Sequence, residues 1–211
     1  MERPQHLREW QFYLDTIYDN RNIRRSLEEI WLHLVGRAGL LAEALRRENL
    51  DEIGRNLALI FAWLYAFCNK LETLLDYQVW KRYNGCCPHC GKEADCICIV
   101  SLPDSASYKV NPDSVEPKML VEWQDMFRRL YGKVKGDTAI FQIGFHLFEE
   151  VGEVSRALVM QNRGEVEGEI ADVFAWMIGL ANRLEIDLDP IIWDHFHLGC
   201  PFCHKEVCEC V

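Results

Sequence analysis

Two acidic clusters, close together in the sequence, have the residue types and spacing to bind a divalent metal ion. An EExxE motif and an ExxD motif are separated by fifteen residues. The acidic residues are Glu149, Glu150 and Glu153 in the first cluster and Glu169 and Asp172 in the second. Residues three positions apart lie on one face of a helix, so two carboxylates of each cluster project together. If the two helices pack antiparallel, four carboxylates meet, and such oxygen ligands suit Mg²⁺ or Mn²⁺.

A solvated acidic face on an amphipathic helix is the alternative interpretation of each cluster. The second cluster argues against it. Asp172 lies inside the run EIADVFAWMIGLA, which is apolar nearly all round and therefore predicts a buried helix. A buried carboxylate needs a partner or a metal, so the sequence favours a metal site.

The same stretch resembles a known enzyme family. The two motifs, their spacer and the flanking segments HLFEEVGEVSRAL and EIADVFAWMIGLANRLEIDL resemble the MazG-like, all-α nucleoside triphosphate pyrophosphohydrolases. LVEWQ at 120–124 is similar to the first helix of that family, and the resemblance covers about 115–190. It implies Mg²⁺-dependent hydrolysis of a nucleoside triphosphate to the monophosphate and pyrophosphate.

The resemblance also implies roles for the five acidic residues. Four of them, Glu150, Glu153, Glu169 and Asp172, would hold one or more Mg²⁺ ions against the phosphates. The bound metal would activate the attacking water. Glu149 would orient that water or take its proton.

Four further residues are weaker candidates for contacts with the substrate. Trp123 and Gln124 could stack on a base and hydrogen-bond to it, although helix packing explains them equally well. Lys133, in the glycine-flanked segment GKVKGD, could meet phosphates from a turn, and a solvated loop is the favoured alternative. Asn182 follows the second cluster and could face the substrate, although Asn69 is its repeat counterpart and packing explains it equally well. His146 is interpreted as a buried structural histidine.

The chain contains an internal repeat with an offset of 113 residues. Tryptophan, histidine and cysteine positions match without a gap, as in the pairs Trp10 and Trp123, His33 and His146, Trp63 and Trp176, and Cys87 and Cys200. The five carboxylates are not repeated. Their counterparts are Gly36, Arg37, Leu40, Asn56 and Leu59. The first copy is therefore predicted to keep the fold and to lack the metal site.

The repeat predicts the organisation of the chain. Residues 1–100 form a degenerate copy, 101–118 a polar linker with three prolines, and 119–211 the copy with the intact acidic site. Helical spacing of apolar residues predicts an all-α fold. The expected helices are 4–19, 23–47 and 50–77 in the first copy and about 117–131, 138–161 and 164–185 in the second. Asp137-Thr138 is the predicted N-cap of a helix and Gly164 the predicted break between two helices.

The long apolar stretches 57–68 and 173–181 are too hydrophobic to face water. They are expected to pack against each other, so that the two copies form a pseudo-dimer within one chain. A homodimer of the whole chain would be a further level of association.

Eight of the ten cysteines form two matching sets, each a CPxC followed by a CxC. The sets are Cys87, Cys90, Cys96 and Cys98, within 86–98, and Cys200, Cys203, Cys208 and Cys210, within 199–210. Four thiolates at this spacing predict a closed, structural Zn²⁺ site in each copy. Disulfides are disfavoured in a chain without a signal peptide, and a redox CxxC does not account for the CxC.

Composition and charge argue against a nucleic-acid binder, a membrane-spanning protein and a secreted protein. The net charge of −10 argues against a nucleic-acid binder, which would present a basic face. No run of about 20 apolar residues predicts a membrane span, and charges within 1–20 do not fit a signal peptide. A cytoplasmic location is expected.

Three other functions remain open at this point. The first is hydrolysis of phosphoribosyl-ATP or another nucleotide by the same chemistry. The second is a non-catalytic nucleotide sensor or adaptor that uses its zinc modules to bind a partner. The third is nucleic-acid binding through the zinc modules, which the acidic composition disfavours.

Overall fold

The computed structural model describes residues 2–96, 98, 118–137 and 139–210, and only the backbone within 133–137. The regular elements in this part of the chain are eight α-helices, so the all-α prediction is confirmed. They are α1 (Leu7–Asn22), α2 (Leu27–Arg46), α3 (Leu50–Lys70), α4 (Leu75–Tyr83), α5 (Leu120–Asp137), α6 (Ile140–Val159), α7 (Arg163–Arg183) and α8 (Leu188–Phe196). The predicted linker lies outside the described residues except for Lys118.

Side-chain caps fix several helix starts. Asn49 and Asn162 precede α3 and α7, and each accepts a hydrogen bond from a backbone N–H in the first turn of its helix. An asparagine in this role stabilises a helix by about 1 kcal/mol.

The predicted break at Gly164 is wrong, because Gly164 lies in the first turn of α7. The chain instead turns at Gln161, whose φ is 55°.

Other predicted boundaries also differ from the structure. The segment 50–77 is two helices, because Glu72 adopts a φ of 55° between α3 and α4. The N-cap of α6 is Ala139, which makes no side-chain cap, rather than Asp137-Thr138. Asp137 belongs to α5, and Thr138 lies outside the described residues. Consequently GKVKGD is helical backbone and not a turn.

The helices recur at the offset of the sequence repeat. Each helix of the set α1–α4 begins 113 residues before its counterpart in the set α5–α8. Hydrogen bonds recur as well. Gln11 donates to Asn69 at 2.7 Å, and Gln124 donates to Asn182 at 3.1 Å.

The chain divides into two compact units whose boundaries cut across the copies. Unit 1 comprises Met1–Leu75 and Asp187–Val211, and unit 2 comprises Asp76–Ile186. Unit 1 therefore contains α1–α3 with α8 and the second cysteine set. Unit 2 contains α5–α7 with nearly all of α4 and the first cysteine set. Each unit is thus completed by the terminal segment of the other copy.

The core of unit 1 is built around Trp10, which is fully buried. Its ring meets Phe61 of α3 at 6.1 Å and Trp193 of α8 at 6.2 Å, both edge-on. The Tyr13 hydroxyl donates to the carbonyl of Phe196 at 2.9 Å, which ties α8 to α1. Aromatic pairs of this kind add about 0.5–1.5 kcal/mol beyond the area they bury.

The core of unit 2 repeats this arrangement around Trp123, which is also fully buried. Its ring meets Trp80 of α4 and Phe174 of α7, each at 6.2 Å. Tyr83 packs edge-on against Phe127 at 4.9 Å. These contacts hold α4 against α5 and α7.

Within the described residues, no single helix combines the length and apolar character needed to cross a bilayer. The consecutive helices α3 and α4 meet the length and composition requirement only as a bent pair.

Candidate metal and nucleotide site

Helices α6 and α7 lie side by side in unit 2 and bring three carboxylates together. Glu150 of α6 and Glu169 and Asp172 of α7 each offer an oxygen atom within 4.8 Å of the other two. Glu169 and Asp172 converge because they are three residues apart on one helix. The spacing of the acidic motifs therefore corresponds to a real cluster of side chains.

The other two acidic residues lie outside this group. Glu153 is half-buried and lies three residues after Glu150, which is a rise of about 4.5 Å along α6. Its charge still raises the pKa of Glu150 and of Glu169. Glu149 is exposed, and its carboxylate pairs with Nδ1 of His146 at 3.0 Å.

Burial and mutual repulsion raise the pKa of the clustered carboxyl groups. The pKa of Glu150 rises to about 8, chiefly through burial and then through the charges of Asp172 and Glu169. The pKa of Glu169 rises to about 7, chiefly through burial and then through the charges of Asp172 and Glu153. Converging carboxylates that repel one another and carry only oxygen donors are suited to a hard divalent cation, so the residues present fit Mg²⁺ or Mn²⁺.

Asp172 is buried, at 6% exposure, and already has partners. Arg82 donates from Nε to Oδ1 at 3.0 Å and from Nη2 to Oδ2 at 2.6 Å, while the Tyr83 hydroxyl donates to Oδ1 at 2.6 Å. A bidentate arginine pair fixes the orientation of a carboxylate. Each carboxylate oxygen has two lone pairs, so Oδ2 keeps one that can face a cation.

Arg82 and Tyr83 were missed by the sequence interpretation. Both belong to α4, about ninety positions before Asp172 and in the copy without the acidic residues. The sequence predicted that the buried carboxylate of Asp172 needs a partner or a metal. The identity of that partner was not, because it depends on which copy α4 packs against.

A cavity of about 290 Å³ lies between α5 and α7 in the same unit. It is lined by Phe127, Arg128, Tyr131, Gly132, Gly179, Asn182, Arg183 and Glu185. The pKa of the Tyr131 phenol is raised mainly by burial, and also by the charges of Cys87 and Asp172. Since Tyr131 lines the cavity and is within electrostatic range of Asp172 and Cys87, the cavity lies near both the carboxylates and the first cysteine set.

The weaker candidates occupy different settings. Trp123 is fully buried, and Gln124 donates to Asn182 and to the carbonyl of Ile186 at 3.0 Å. These are the packing roles considered as alternatives from the sequence. Asn182 additionally lines the cavity, and the Lys133 side chain lies outside the described part of the structure.

The interpretation of His146 as a buried residue is wrong. Its side chain is 48% exposed and stacks on Trp176 with ring centroids 4.4 Å apart. Its counterpart His33 stacks on Trp63 at the same distance. The recurrence of the stack explains why the histidine is repeated in both copies.

The eight motif cysteines gather into two clusters of four, as the spacing predicted, and all ten cysteines are unbridged. The Sγ atoms of Cys96 and Cys87 are 3.3 Å apart, and those of Cys200 and Cys210 are 3.7 Å apart. Four sulfurs around Zn²⁺, each bonded at about 2.3 Å, stand roughly 3.8 Å from one another. The clusters therefore fit a tetrahedral metal.

Backbone N–H groups favour the thiolate form at one cysteine in each cluster. The pKa of Cys90 is lowered to about 7, chiefly by the N–H of Lys92, and that of Cys203 to about 6, chiefly by the N–H of Glu209. A thiolate is the form that binds metal.

Comparison with known proteins adds one match. The family model of the MazG nucleotide pyrophosphohydrolase domain matches residues 142–194 of this chain. Neither a curated protein nor a solved structure matches it significantly. The matched segment contains both acidic motifs, which supports a MazG-like family and suggests nucleotide pyrophosphohydrolase activity.

Proposed function

We propose that unit 2 hydrolyses a nucleoside triphosphate to the monophosphate and pyrophosphate. The observation that carries this proposal is the convergence of Glu150, Glu169 and Asp172 within the segment that matches the MazG domain. The spacing of their oxygens suits a cation and, with it, the phosphates of a nucleotide.

The cluster, with Glu153 beside it, would hold Mg²⁺ or Mn²⁺. A bound divalent cation would supply charge neutralisation for the phosphates and would make a water molecule more acidic. Arg82 keeps Asp172 in one orientation, and Tyr83 adds a hydrogen bond to the same carboxylate.

Glu149 remains the proposed residue for orienting the attacking water or accepting its proton. It lies next to Glu150 in the sequence, and its hydrogen bond to His146 limits its freedom.

The cavity between α5 and α7 is the proposed place for the nucleoside. Gly179 lies about 10 Å further along α7 than Asp172, since an α-helix rises about 1.5 Å per residue. Asn182 lines the cavity with an amide that is already hydrogen-bonded to Gln124, and Arg128 and Arg183 line it with guanidinium groups. Amide and guanidinium groups can recognise the edge of a base or a phosphate.

The remaining parts of the proposal concern organisation. We infer a tandem duplication, which the constant offset of the helices and of their hydrogen bonds supports. The two cysteine clusters would each hold a structural Zn²⁺ ion. A pseudo-dimer of the two copies and a homodimer of the chain remain proposals.

Release of pyrophosphate tests the activity directly. We would measure it with Mg²⁺ on a panel of nucleoside and deoxynucleoside triphosphates, including phosphoribosyl-ATP. We expect turnover by the wild-type protein and a loss of at least 100-fold in Glu150→Gln, because the substitution removes one charged ligand of the cluster. Glu167→Gln is the matched control, since Glu167 is on α7 outside the carboxylate group and pairs with Arg163 at 2.9 Å.

Equal activity in Glu150→Gln and the control would contradict the assigned site. No turnover of any nucleotide by the folded wild-type protein would favour a second function, a non-catalytic nucleotide sensor. The pairing of Asp172 with Arg82 is the observation that favours that second function, because part of the negative charge is already neutralised.

A further inference from the structure

Unit 1 contains a cavity at the place that corresponds to the carboxylates of unit 2. It measures about 260 Å³ and is lined by residues of α2, of α3 and of the turn between them. Three of the lining residues, Arg37, Leu40 and Asn56, are the repeat counterparts of acidic residues in the second copy. This cavity therefore occupies the position of the acidic site, with other side chains in its wall.

The side chains of this cavity reverse the charge of the site. Three arginines line it: Arg37, Arg47 and Arg55. Arg47 pairs with Glu43 at 2.8 Å and Arg55 with Glu52 at 3.3 Å. Arg37 lies over the ring of Phe202 at 5.9 Å and has no carboxylate within ion-pair distance in the described part of the chain. A net positive charge therefore remains in the cavity.

Helix α8 adds a histidine to the same region. His195 is the repeat counterpart of Arg82, and its Nε2 atom is buried without a hydrogen-bond partner among the described residues. Burial is the main cause that lowers the pKa of His195, and the charges of Arg55 and Arg37 lower it further, so the ring lies near both guanidinium groups. A buried nitrogen without a partner costs folding free energy that a ligand can recover.

We propose that unit 1 binds a small phosphate anion, such as inorganic pyrophosphate, without a metal ion. Arg37 and Arg55 would bind its oxygens in the bidentate manner of guanidinium groups, and His195 would donate a hydrogen bond. The cavity has no aromatic residue in its described lining on which a base could stack. It therefore suits an inorganic anion better than a whole nucleotide.

Isothermal titration calorimetry with inorganic pyrophosphate tests this site. The full chain is used with its zinc retained, without added Mg²⁺ and without a chelator. We expect saturable binding that weakens with NaCl and falls by about tenfold or more in Arg37→Glu and in Arg37→Gln, since a charge-assisted hydrogen bond is lost. Arg46→Glu is the matched control, because Arg46 is exposed at the end of α2 and does not line the cavity.

Two results would overturn the proposal. One is an absence of binding by the wild-type protein at millimolar pyrophosphate. The other is an equal loss of affinity in Arg37→Glu and Arg46→Glu, which would show general charge attraction. Circular dichroism and the melting temperature establish that each variant is folded, and Arg37→Gln guards against effects of an introduced negative charge.

Further titrations separate this site from the hydrolytic one and identify the source of the phosphate. Binding should be unchanged in Glu150→Gln, and it should survive even if the protein hydrolyses no nucleotide. Pyrophosphate should bind at least as tightly as a non-hydrolysable nucleoside triphosphate. A site that takes only the nucleotide would overturn the assignment to a small anion.

Discussion

Asp172 shows how one buried carboxylate can serve both the fold and the chemistry. Its pairing with Arg82 and Tyr83 satisfies a charge that would otherwise be costly to bury. The same contacts hold the carboxylate in the orientation in which one oxygen faces Glu150 and Glu169. A positioned ligand of this kind binds a metal ion with less loss of side-chain freedom.

The raised pKa values of Glu150 and Glu169 predict how stability depends on pH. Both pKa values, about 8 and about 7, lie above the ordinary value of 4.5, so these groups lose protons more readily in the unfolded chain. This contribution to stability is fully present below about pH 4.5 and is lost as the pH rises towards 8. Mg²⁺ should reverse the loss by binding the charged carboxylates.

Thermal melting with and without Mg²⁺ at pH 6 and pH 8 checks this prediction. Mg²⁺ should raise the melting temperature more at pH 8, because at pH 6 it must displace protons, and its affinity falls about tenfold per pH unit for each proton displaced. A tenfold change in affinity alters the stabilisation by up to about 1.4 kcal/mol. Glu150→Gln should show a smaller difference between the two pH values. Equal Mg²⁺ effects at both pH values in the wild-type protein would contradict the prediction.

At the scale of residues, the sequence predicted those features that depend on spacing within one or two helices. The i, i+3 relation placed Glu169 and Asp172 together, and the cysteine spacing placed four thiols together. The sequence could not show that Glu153, at the same i, i+3 spacing from Glu150, would lie outside the cluster. Nor could it identify Arg82 as a partner of Asp172, because that contact depends on tertiary packing.

At the scale of elements, the cysteine cluster that ends each copy is hydrogen-bonded to a helix. In unit 2 the N–H of Cys96 donates to the carbonyl of Leu130 at 2.8 Å, next to Tyr131 of the cavity. In unit 1 the N–H of Cys208 donates to the carbonyl of Ile17 at 2.7 Å. The first cluster is therefore connected to the candidate nucleotide site, and the second is connected to α1.

Zinc content and turnover test this difference between the clusters. We expect two zinc ions per chain, and one in each of Cys90→Ser and Cys203→Ser. Turnover should fall at least tenfold in Cys90→Ser, because α5 loses its anchor beside the cavity, and less than threefold in Cys203→Ser. Cys86→Ser is the control, since Cys86 is outside both clusters. Two zinc ions retained in Cys90→Ser would be incompatible with the assigned ligands.

The sequence predicted that the long helices exist, but it predicted less well where they begin and end. Apolar spacing identified the long helices because their buried faces are continuous. The breaks at Glu72 and Gln161 escaped prediction because both residues adopt a left-handed backbone conformation that their side chains do not favour. Glycine favours this backbone conformation, and for that reason the sequence predicted the break after α6 at Gly164.

At the scale of the whole molecule, the two compact units are each assembled from both copies. Helix α4 precedes the linker in the sequence, yet nearly all of it belongs to the unit that contains the carboxylates. The repeat was visible in the sequence as matched tryptophans and cysteines. Which unit each terminal segment joins was not, because either arrangement preserves the same pattern.

Substitution of Arg82 tests the contribution of the first copy to the site in the second. Arg82→Gln should reduce turnover at least tenfold, because Asp172 loses its bidentate partner. It should also lower stability by about 1.5–3 kcal/mol, the range for hydrogen bonds to charged groups. Lys81→Gln is the control, since Lys81 is exposed on the same helix. Pyrophosphate release and urea unfolding provide the two measurements, and unchanged turnover in Arg82→Gln would argue against a role for α4.

The exchange of terminal segments has a consequence for how such a chain can evolve. If unit 2 has the proposed activity, selection for catalysis would act on α4 and the first cysteine set through carboxylates that lie roughly ninety positions later in the chain. Helices α2 and α3 would be exempt from that selection and could acquire a new specificity. Loss of the whole first copy by recombination would then remove α4 and the first cysteine set from unit 2 as well.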